Sequence, residues 1–299
     1  MYRLPSPFRG VMGLLFALNT LVSVAACRRR EPPTPPVARP AVRLSRESAA
    51  LGSPVDINYR FDVAANATFD GDYMVMLHVL DADNQLLWTD DHFPPVPTSQ
   101  WQRGQTVEYT RTVFVPVYPY VGEANLRVGL YSPSTKTRLS LDADDAGKKA
   151  YRAGRLRLTP QEAGTLALFE SGWHPAESPA GNPMIEWKWT EKNAVLAFAN
   201  PKHDSTLFLD LDTSELLKEP QAVLVSLGKD ELGRFQVAPG QRALKRLPIR
   251  SAQLGSGRTV AIQLAVDRTF VPAALTNGRN HDPRELGVRV FHAAIEPNP

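Results

Sequence analysis

Turn-forming residues recur so often along this chain that long helices have little room to form. The 299 residues include 26 prolines and 19 glycines, and the segments between them are short. Several of these segments alternate apolar and polar residues, most clearly 259–266, where valine, isoleucine and leucine occupy every second position. Short alternating segments separated by turn residues at roughly ten-residue intervals are typical of β-sandwiches. The sequence therefore predicts an all-β protein.

Residues 41–160 have the pattern of an immunoglobulin-like or fibronectin-like sandwich. A nearly continuous apolar run over 72–80 predicts a strand buried on both faces, and 81–84 predicts the hairpin turn that follows it. The segment 107–115 alternates as a half-buried strand does, except that Arg111 falls at an inward position. Further strands are predicted at 86–88, 126–130 and 155–158. About seven short strands over this length suit such a sandwich.

The apolar segments within residues 165–297 predict a second sandwich, of jelly-roll type. The polar, turn-rich segment 159–164 separates it from the first and is a plausible domain boundary. Short helical turns are predicted at 213–218 and 271–275. Strands are predicted at 185–189, 194–199, 206–211, 222–227, 242–248, 259–266 and 286–295.

The N-terminal residues 1–26 have the layout of a signal peptide. Arg3 and Arg9 precede an apolar stretch of about 16 residues, which is shorter than the roughly 20 residues that a membrane-spanning helix needs. No later segment approaches that length. We therefore expect export, removal of residues 1–26 and no transmembrane helix in the mature chain.

The apolar stretch ends in Val24-Ala25-Ala26-Cys27, which resembles the bacterial lipobox. The resemblance implies that the thiol of Cys27 receives diacylglycerol and that acyl chains such as palmitate anchor a lipoprotein. The anchor would lie in the cell membrane or outer membrane, and the protein would face the periplasm or exterior. Cys27 is the single cysteine, so an intramolecular disulfide or cysteine-based zinc cluster is excluded. An ordinary secretory peptide, with Cys27 incidental, is the alternative.

A proline-rich and arginine-rich tether is predicted over 27–40. Its proline-dense part, 31–40, cannot form a helix and favours an extended chain. Residues 28–46 hold six arginines and one glutamate, although the net charge of the whole chain is only +3. This basic excess lies beside the predicted anchor, so nucleic acid is not an expected partner. The arginines either attract anionic lipid headgroups or belong to a solvated linker.

The usual catalytic and metal-binding motifs are missing from the sequence. GxSxG, HExxH, GxxxxGK[ST], GxGxxG and CxxC do not occur. The histidines lack close metal-ligand spacing, so we expect neither a metal nor a cofactor; they are His78, His92, His174, His203, His281 and His292. Asp142, Asp144 and Asp145 are of the type that binds calcium. We favour turn formation there, because aspartates bond neighbouring backbone groups in turns.

Two segments of the second half combine tryptophans with charged residues, and they give the candidate ligand-binding residues. Tryptophan can stack on a sugar ring while charged groups bond its hydroxyls, provided that these residues converge. The alternative, which we favour, is that Trp187 and Trp189 are core and that Arg284 pairs with Glu285 or Asp282. The candidates are Trp173, His174, Glu177, Trp187, Trp189, Arg284 and Glu285.

These same segments resemble parts of a known type of accessory domain. Gly172-Trp173 with a following glutamate, the tryptophan-rich strand, Asp-Arg-x-Phe-x-Pro over 267–272 and Arg-Glu-Leu-Gly-Val over 284–288 resemble a β-sandwich accessory domain of bacterial envelope-polysaccharide and glycosyltransferase-associated proteins. In the first half, 77–81, 101–104 and 128–131 are similar to a sugar-polymer-associated sandwich module. The resemblance implies a non-catalytic module that works near envelope glycans.

The sequence therefore predicts a lipid-anchored envelope protein that is not an enzyme and binds glycans or partner proteins. The first alternative is a structural subunit of an envelope assembly or secretion complex, with partners on its sheet edges. The second is a glycosidase, which needs only two suitably placed carboxyl groups. A groove lined by exposed tryptophans would favour glycan binding, and an exposed apolar edge strand would favour assembly.

Overall fold

The computed structural model describes residues 34–117, 120–181 and 185–298. The predicted signal peptide, Cys27 and residues 27–33 of the predicted tether lie outside the described residues, so lipidation of Cys27 stays a prediction. No helix within the described ranges has the length and apolar character needed to cross a membrane.

The first eight strands form two sheets. One has the order β1-β3-β6 and the other β2-β8-β7-β4-β5, and all neighbours are antiparallel except β2 and β8. This division of strands is immunoglobulin-like, as predicted. The strands are β1 (Ala38–Leu44), β2 (Ser48–Ala50), β3 (Pro54–Val63), β4 (Met74–Leu80), β5 (Leu86–Thr89), β6 (Thr106–Phe114), β7 (Gly122–Tyr131) and β8 (Tyr151–Thr159).

The next nine strands form a second pair of sheets. Their orders are β10-β17-β12-β15 and β14-β13-β16-β11-β9. When β10 to β17 are counted as strands one to eight, the orders read 1-8-3-6 and 5-4-7-2, which is a jelly roll. The strands are β9 (Leu168–Phe169), β10 (Lys188–Trp189), β11 (Asn193–Ala199), β12 (Ser205–Asp212), β13 (Gln221–Leu227), β14 (Asp230–Val237), β15 (Ala243–Ile249), β16 (Thr259–Val266) and β17 (Arg289–Pro297).

The all-β fold class with two sandwiches is confirmed, whereas several element bounds differ from the prediction. β14 was not expected, because it lies at a sheet edge and only Val237 of it is buried. β1 begins at Ala38, inside the segment assigned to the tether; Pro40 is tolerated because β1 is an edge strand. The predicted strand 185–189 is reduced to β10, and β17 begins later than position 286.

The short helical elements also differ in part. Helix α1 (Ser251–Leu254) was not predicted, and α2 (Pro272–Leu275) agrees with the predicted turn at 271–275. The segment 213–218 contains a hydrogen-bonded turn, from Leu217 N to the Ser214 carbonyl, instead of a helix. Proline at the first position suits α2, since its missing N–H has no partner there in any helix.

Each sandwich has its own hydrophobic core. In β3, Val55, Ile57, Tyr59 and Phe61 are buried between the first two sheets, and the residues between them face outward. In β12, Leu207, Leu209 and Leu211 are completely buried in the second core. The period of two is the strand repeat, so the intervening side chains of β12 lie on the outer face of the sheet.

The two sandwiches touch through the outer face of the sheet that contains β12. Phe114 stacks on His292 with ring centroids 4.5 Å apart and planes 8° apart. Arg246 bonds Asp56, and Arg46 bonds Glu296 at 2.6 Å. Residues 35–299 form one compact unit, and the predicted division into domains 41–160 and 165–297 stays a prediction.

Candidate functional site

The outer face of the jelly roll's four-stranded sheet carries two buried carboxylates held by arginines. Asp210 and Asp212 alternate with the core leucines of β12 and are 8% and 5% exposed. Arg289 donates from Nε and Nη2 to the two oxygens of Asp212, at 2.8 and 2.6 Å. Arg242 donates to Asp210 in the same way, at 2.7 and 2.5 Å. Such bidentate pairs fix the plane of each guanidinium.

Aromatic rings lie against these fixed guanidinium groups. The guanidinium carbon of Arg289 is 4.9 Å from the centroid of the Trp187 ring and 5.0 Å from that of Phe291. The corresponding carbon of Arg242 lies 3.9 Å from the Phe291 centroid. These are cation–π distances. We call Trp187, Arg289, Phe291 and Arg242 the aromatic–arginine ladder.

Trp187 lies at one end of the ladder and is partly exposed. Its backbone pairs with that of Glu177 through two hydrogen bonds of 2.9 Å, which places the two side chains on the same face. Glu177 Oε1 lies 2.7 Å from Arg284 Nη2, and Arg284 also bonds Asp282 at 2.6 Å. A tryptophan ring, a carboxylate and two guanidinium groups are thus held together at the edge of the sheet.

The structure brings the seven predicted candidates into one region but gives them different roles. Trp173 packs against the second core and donates Nε1 to the Val195 carbonyl at 2.8 Å. Trp189 is 8% exposed and packs with Phe270 and Leu286. Trp189 is core, whereas Trp173, Trp187 and Glu177 are partly buried. The Trp187 ring also packs against the cluster around Trp189, and its Nε1 is buried.

The remaining candidates fix the neighbouring loops. His174 Nε2 donates to the Glu285 carbonyl at 2.9 Å, and its backbone N–H donates to the Trp189 carbonyl. The Glu285 side chain accepts from the Thr269 hydroxyl. Arg284 pairs with Asp282, one of the two partners expected for it. The role of the seven residues in ligand binding stays a prediction.

Two carboxyl groups of this region, those of Asp210 and Asp282, are held in their charged form. Burial raises the pKa of Asp210, but hydrogen bonds from Arg242 and His292 outweigh it, so that the pKa lies below its ordinary value. Hydrogen bonds from Arg284 lower the pKa of Asp282, and the same pair raises the pKa of Arg284. The region therefore presents permanent charges at neutral pH.

The acidic loop of the first sandwich forms local contacts. Asp144 bonds Arg152 at 2.7 Å, and Asp145 accepts from the Gly147 backbone N–H at 2.8 Å. The second contact is of the kind that the turn interpretation predicts. Over the described ranges, no three His, Cys, Asp or Glu side chains are grouped as a metal site would require.

Asp210, Asp212 and most of the ladder were not predicted from the sequence. One signal was available: Leu209-Asp-Leu-Asp212 alternates strictly, which indicates a strand with acidic residues on its outer face. Arg289 and Phe291 alternate in the same sense near the C-terminus. The pairing of these two segments across β12 and β17 depends on the sheet order, which the sequence pattern does not specify.

Comparisons with known proteins identify no family for this chain. No family model matches it, and no curated protein matches it. Among solved structures, SGBP-B from a complex xyloglucan utilization locus in Bacteroides uniformis is 10% identical, covering 88% of this chain and 74% of its own, with a TM-score of 0.34. The secreted serine protease VesC from Vibrio cholerae is 11% identical, with coverages of 87% and 51% and a TM-score of 0.24.

A structure of carbohydrate-binding modules from the β-sandwich superfamily is 10% identical, covering 88% of this chain and all of that one, with a TM-score of 0.25. The chain spans 51% of VesC. At these identities and scores, the names of these proteins assign no activity to this chain.

Proposed function

We propose that this protein is a lipid-anchored, non-catalytic envelope protein that binds glycans beside Trp187, at the β10 edge of the jelly roll's four-stranded sheet. The observation that carries the proposal is the setting of Trp187. Its partly exposed ring lies beside the Glu177 carboxylate and the Arg289 guanidinium. These groups provide an apolar surface and fixed polar groups within one small area.

This combination matches the chemistry of a sugar. A sugar ring has apolar C–H faces that contact an aromatic ring, and its hydroxyls accept and donate hydrogen bonds at the rim. Asp212 holds Arg289 in place before any ligand arrives, and Arg284 holds Glu177. Side chains that are already ordered lose less conformational entropy when a ligand binds, which favours affinity.

The charge state of the carboxyl groups supports a binding role over a glycosidase. The general acid of a glycosidase needs a raised pKa so that it is protonated at working pH. Asp210 and Asp282, the carboxyl groups with shifted pKa near the ladder, both have lowered values because arginines bond them. They are therefore poor proton donors.

The glycan site is tested by titrating the full-length protein with neutral oligosaccharides identified on a glycan array. Replacement of Trp187 by alanine removes the ring, and we expect affinity to fall about tenfold or more. Phe93 is a matched control, since it is a 55% exposed aromatic residue on the other sandwich. The Phe93→Ala variant should bind like the wild type. Undiminished binding by Trp187→Ala would exclude this site.

The anchor is tested separately, by intact-mass analysis of protein extracted from membranes. A wild-type chain that begins at Cys27 with added acyl mass, and a Cys27→Ala variant that leaves the membrane fraction, would support the anchor. Two or more acyl chains give stable attachment, whereas one is marginal. A wild-type protein that keeps residues 1–26 or carries no lipid would contradict it.

A second function, as a subunit of an envelope assembly, is favoured by one observation. β9 forms the edge of the five-stranded jelly-roll sheet, and Leu166, Leu168 and Phe169 there are 49%, 53% and 36% exposed. An exposed apolar edge can accept a strand from a partner. In that case Leu168→Lys would lower the apparent mass of the protein in native gels of membrane extracts without changing glycan affinity.

A further inference from the structure

A concave cavity of about 350 Å³ lies on the outer face of the five-stranded sheet in the first sandwich. Its volume is in the range of sites that hold small organic ligands. Arg127, Arg152 and Arg155 line it together with Asn84, Asn125 and Gly154. We call it the arginine cavity. It is formed by β7, β8 and the turn after β4, so it shares no residue with the aromatic–arginine ladder.

An irregularity in strand pairing forms the cavity. Leu126 pairs with Gly154, but Arg127 pairs with Arg152, so that Ala153 is an extra residue in β8. Gly154 has a φ of 144°, which other residues rarely adopt, and an added Cβ there would meet no atom within 4 Å. A bulge of this kind redirects the side chains around it, and bulges are frequent beside binding sites.

Two arginines of the cavity occupy directly opposed positions on paired strands, where their positive charges repel each other. Arg127 lies directly opposite Arg152, and Arg155 lies opposite Asn125 in the same ladder. Like charges at directly opposed positions destabilise a sheet. Asp144 and Glu123 offset part of this repulsion, and a bound anion would offset more of it.

Most of the donors in the cavity remain free for a ligand. A guanidinium has five N–H groups, and each of these arginines bonds one side chain within the described residues. Arg127 donates to Asn84 at 2.5 Å, Arg152 to Asp144 at 2.7 Å, and Arg155 lies 3.1 Å from Glu123. The Arg152 and Arg155 side chains are 63% and 70% exposed.

We infer that the arginine cavity binds the carboxylate of an acidic sugar, such as a uronate residue of an oligosaccharide. Guanidinium groups bind carboxylates through paired hydrogen bonds. The volume exceeds that of a small inorganic anion, and the bare backbone at Gly154 leaves room for a sugar ring. The asparagine amides supply partners for hydroxyls. This site does not depend on the glycan site proposed for the second sandwich.

The test compares tetragalacturonate with its methyl ester, by calorimetric titration of the full-length protein in detergent. Esterification removes the charge and keeps the sugar chain, so we expect at least a tenfold loss of affinity. Arg127→Gln and Arg152→Gln should each weaken binding of the acid about tenfold. Binding of the acid should also weaken as salt is raised.

Arg157→Gln is the matched control. Arg157 is exposed on β8, opposite Glu123, and does not line the cavity. Its replacement should change affinity less than about twofold. An equal loss in Arg157→Gln would overturn the proposal in favour of diffuse attraction, and equal binding of the ester would overturn it as well.

Other outcomes separate this inference from its alternatives. Inorganic sulfate that competes as well as free galacturonate would indicate a simple anion site, and anionic vesicles bound with the same dependence on Arg152 would indicate a lipid headgroup; either overturns the inference. The Trp187→Ala variant should bind tetragalacturonate like the wild type, so failure of the second-sandwich site is recognised independently. Thermal unfolding of each variant confirms that it is folded.

Discussion

The aromatic–arginine ladder and the arginine cavity both collect arginines on the outer face of a sheet, but their acidic partners differ. In the ladder, Arg289 bonds Asp212, which is 5% exposed. In the cavity, Arg152 bonds Asp144, whose side chain is 69% exposed. The arginines are similar in kind, and the burial of the carboxylate is what distinguishes the two regions.

This difference separates an arginine whose ion pair belongs to the fold from one whose ion pair can be exchanged for the carboxylate of a ligand. A buried carboxylate that loses its partner keeps an uncompensated charge, so the pair is costly to break. An exposed carboxylate is solvated with or without its partner, and such pairs contribute only about 0–1 kcal/mol. Ladder arginines are therefore committed to the fold, whereas cavity arginines can exchange a carboxylate of the protein for one of a ligand.

The first sandwich contains a buried pair of the first kind as well. Asp90 is 8% exposed, accepts from the Tyr59 hydroxyl at 2.8 Å and bonds Arg111 at 2.9 Å. We expect Asp90→Ala to lower the free energy of unfolding by about 3 kcal/mol, since Tyr59 loses its acceptor and Arg111 its counter-charge. Chemical denaturation measures this. A loss under about 1 kcal/mol would show that burial of the acid is not decisive.

Loss of the Asp212 charge in the ladder should change both the stability of the protein and its tryptophan fluorescence. Asp212→Asn keeps the size of the side chain but removes its charge, so the two bonds from Arg289 are weakened. We expect a loss of about 2 kcal/mol in the free energy of unfolding. Because Arg289 lies against the Trp187 ring, the tryptophan fluorescence spectrum should also shift. A destabilised variant with unchanged fluorescence would show that the Asp212–Arg289 ion pair does not determine the surroundings of the Trp187 ring.

His92 makes the buried network of the first sandwich sensitive to pH. Its Nδ1 faces the Asp90 carbonyl and its Nε2 faces the Tyr109 hydroxyl, both at 2.8 Å, which satisfies a neutral ring. Burial, with help from Arg111, lowers the pKa of His92. The unfolded chain therefore binds a proton at higher pH than the native protein does.

The stability that this histidine contributes is complete above about pH 6.5 and declines as the pH falls through that value towards the lowered pKa of His92. Denaturation between about pH 7.5 and pH 5 should show this decline, and His92→Gln should reduce it. His203→Gln, at an exposed position, is the control. A decline of the same size in His92→Gln would assign the pH dependence to other groups.

Local patterns predicted most strands, because burial on one or both faces leaves a signal in the sequence. The apolar run of β4 and the alternation of β16 are examples. Arg111 was recognised as an exception at an inward position, but its partner Asp90 lies 21 residues away in the chain. The two residues meet only when the sheets have packed together, so the ion pair of Arg111 and Asp90 cannot be predicted from local sequence.

The candidate sites were less predictable for the same reason. Trp173, Trp187 and Trp189 look equivalent in the sequence, and tertiary contacts bury Trp189 while the other two stay partly exposed. The arginine cavity depends on one register shift between β7 and β8. The alternating pattern of β8 does not reveal where an extra residue interrupts the pairing of the two strands.

The smallest expected effect on stability comes from the arginine cavity. Asp144→Ala removes the exposed partner of Arg152, and the free energy of unfolding should change by no more than about 0.5 kcal/mol. Affinity for tetragalacturonate should rise instead, because the competing carboxylate of the protein is gone and Arg152 keeps its charge. The effect should disappear in the Asp144→Ala/Arg152→Gln double variant, as a double-mutant cycle measures. If Asp144→Ala weakened binding, Asp144 would position Arg152 for the ligand instead of competing with it, and the contrast with Asp212 would no longer hold.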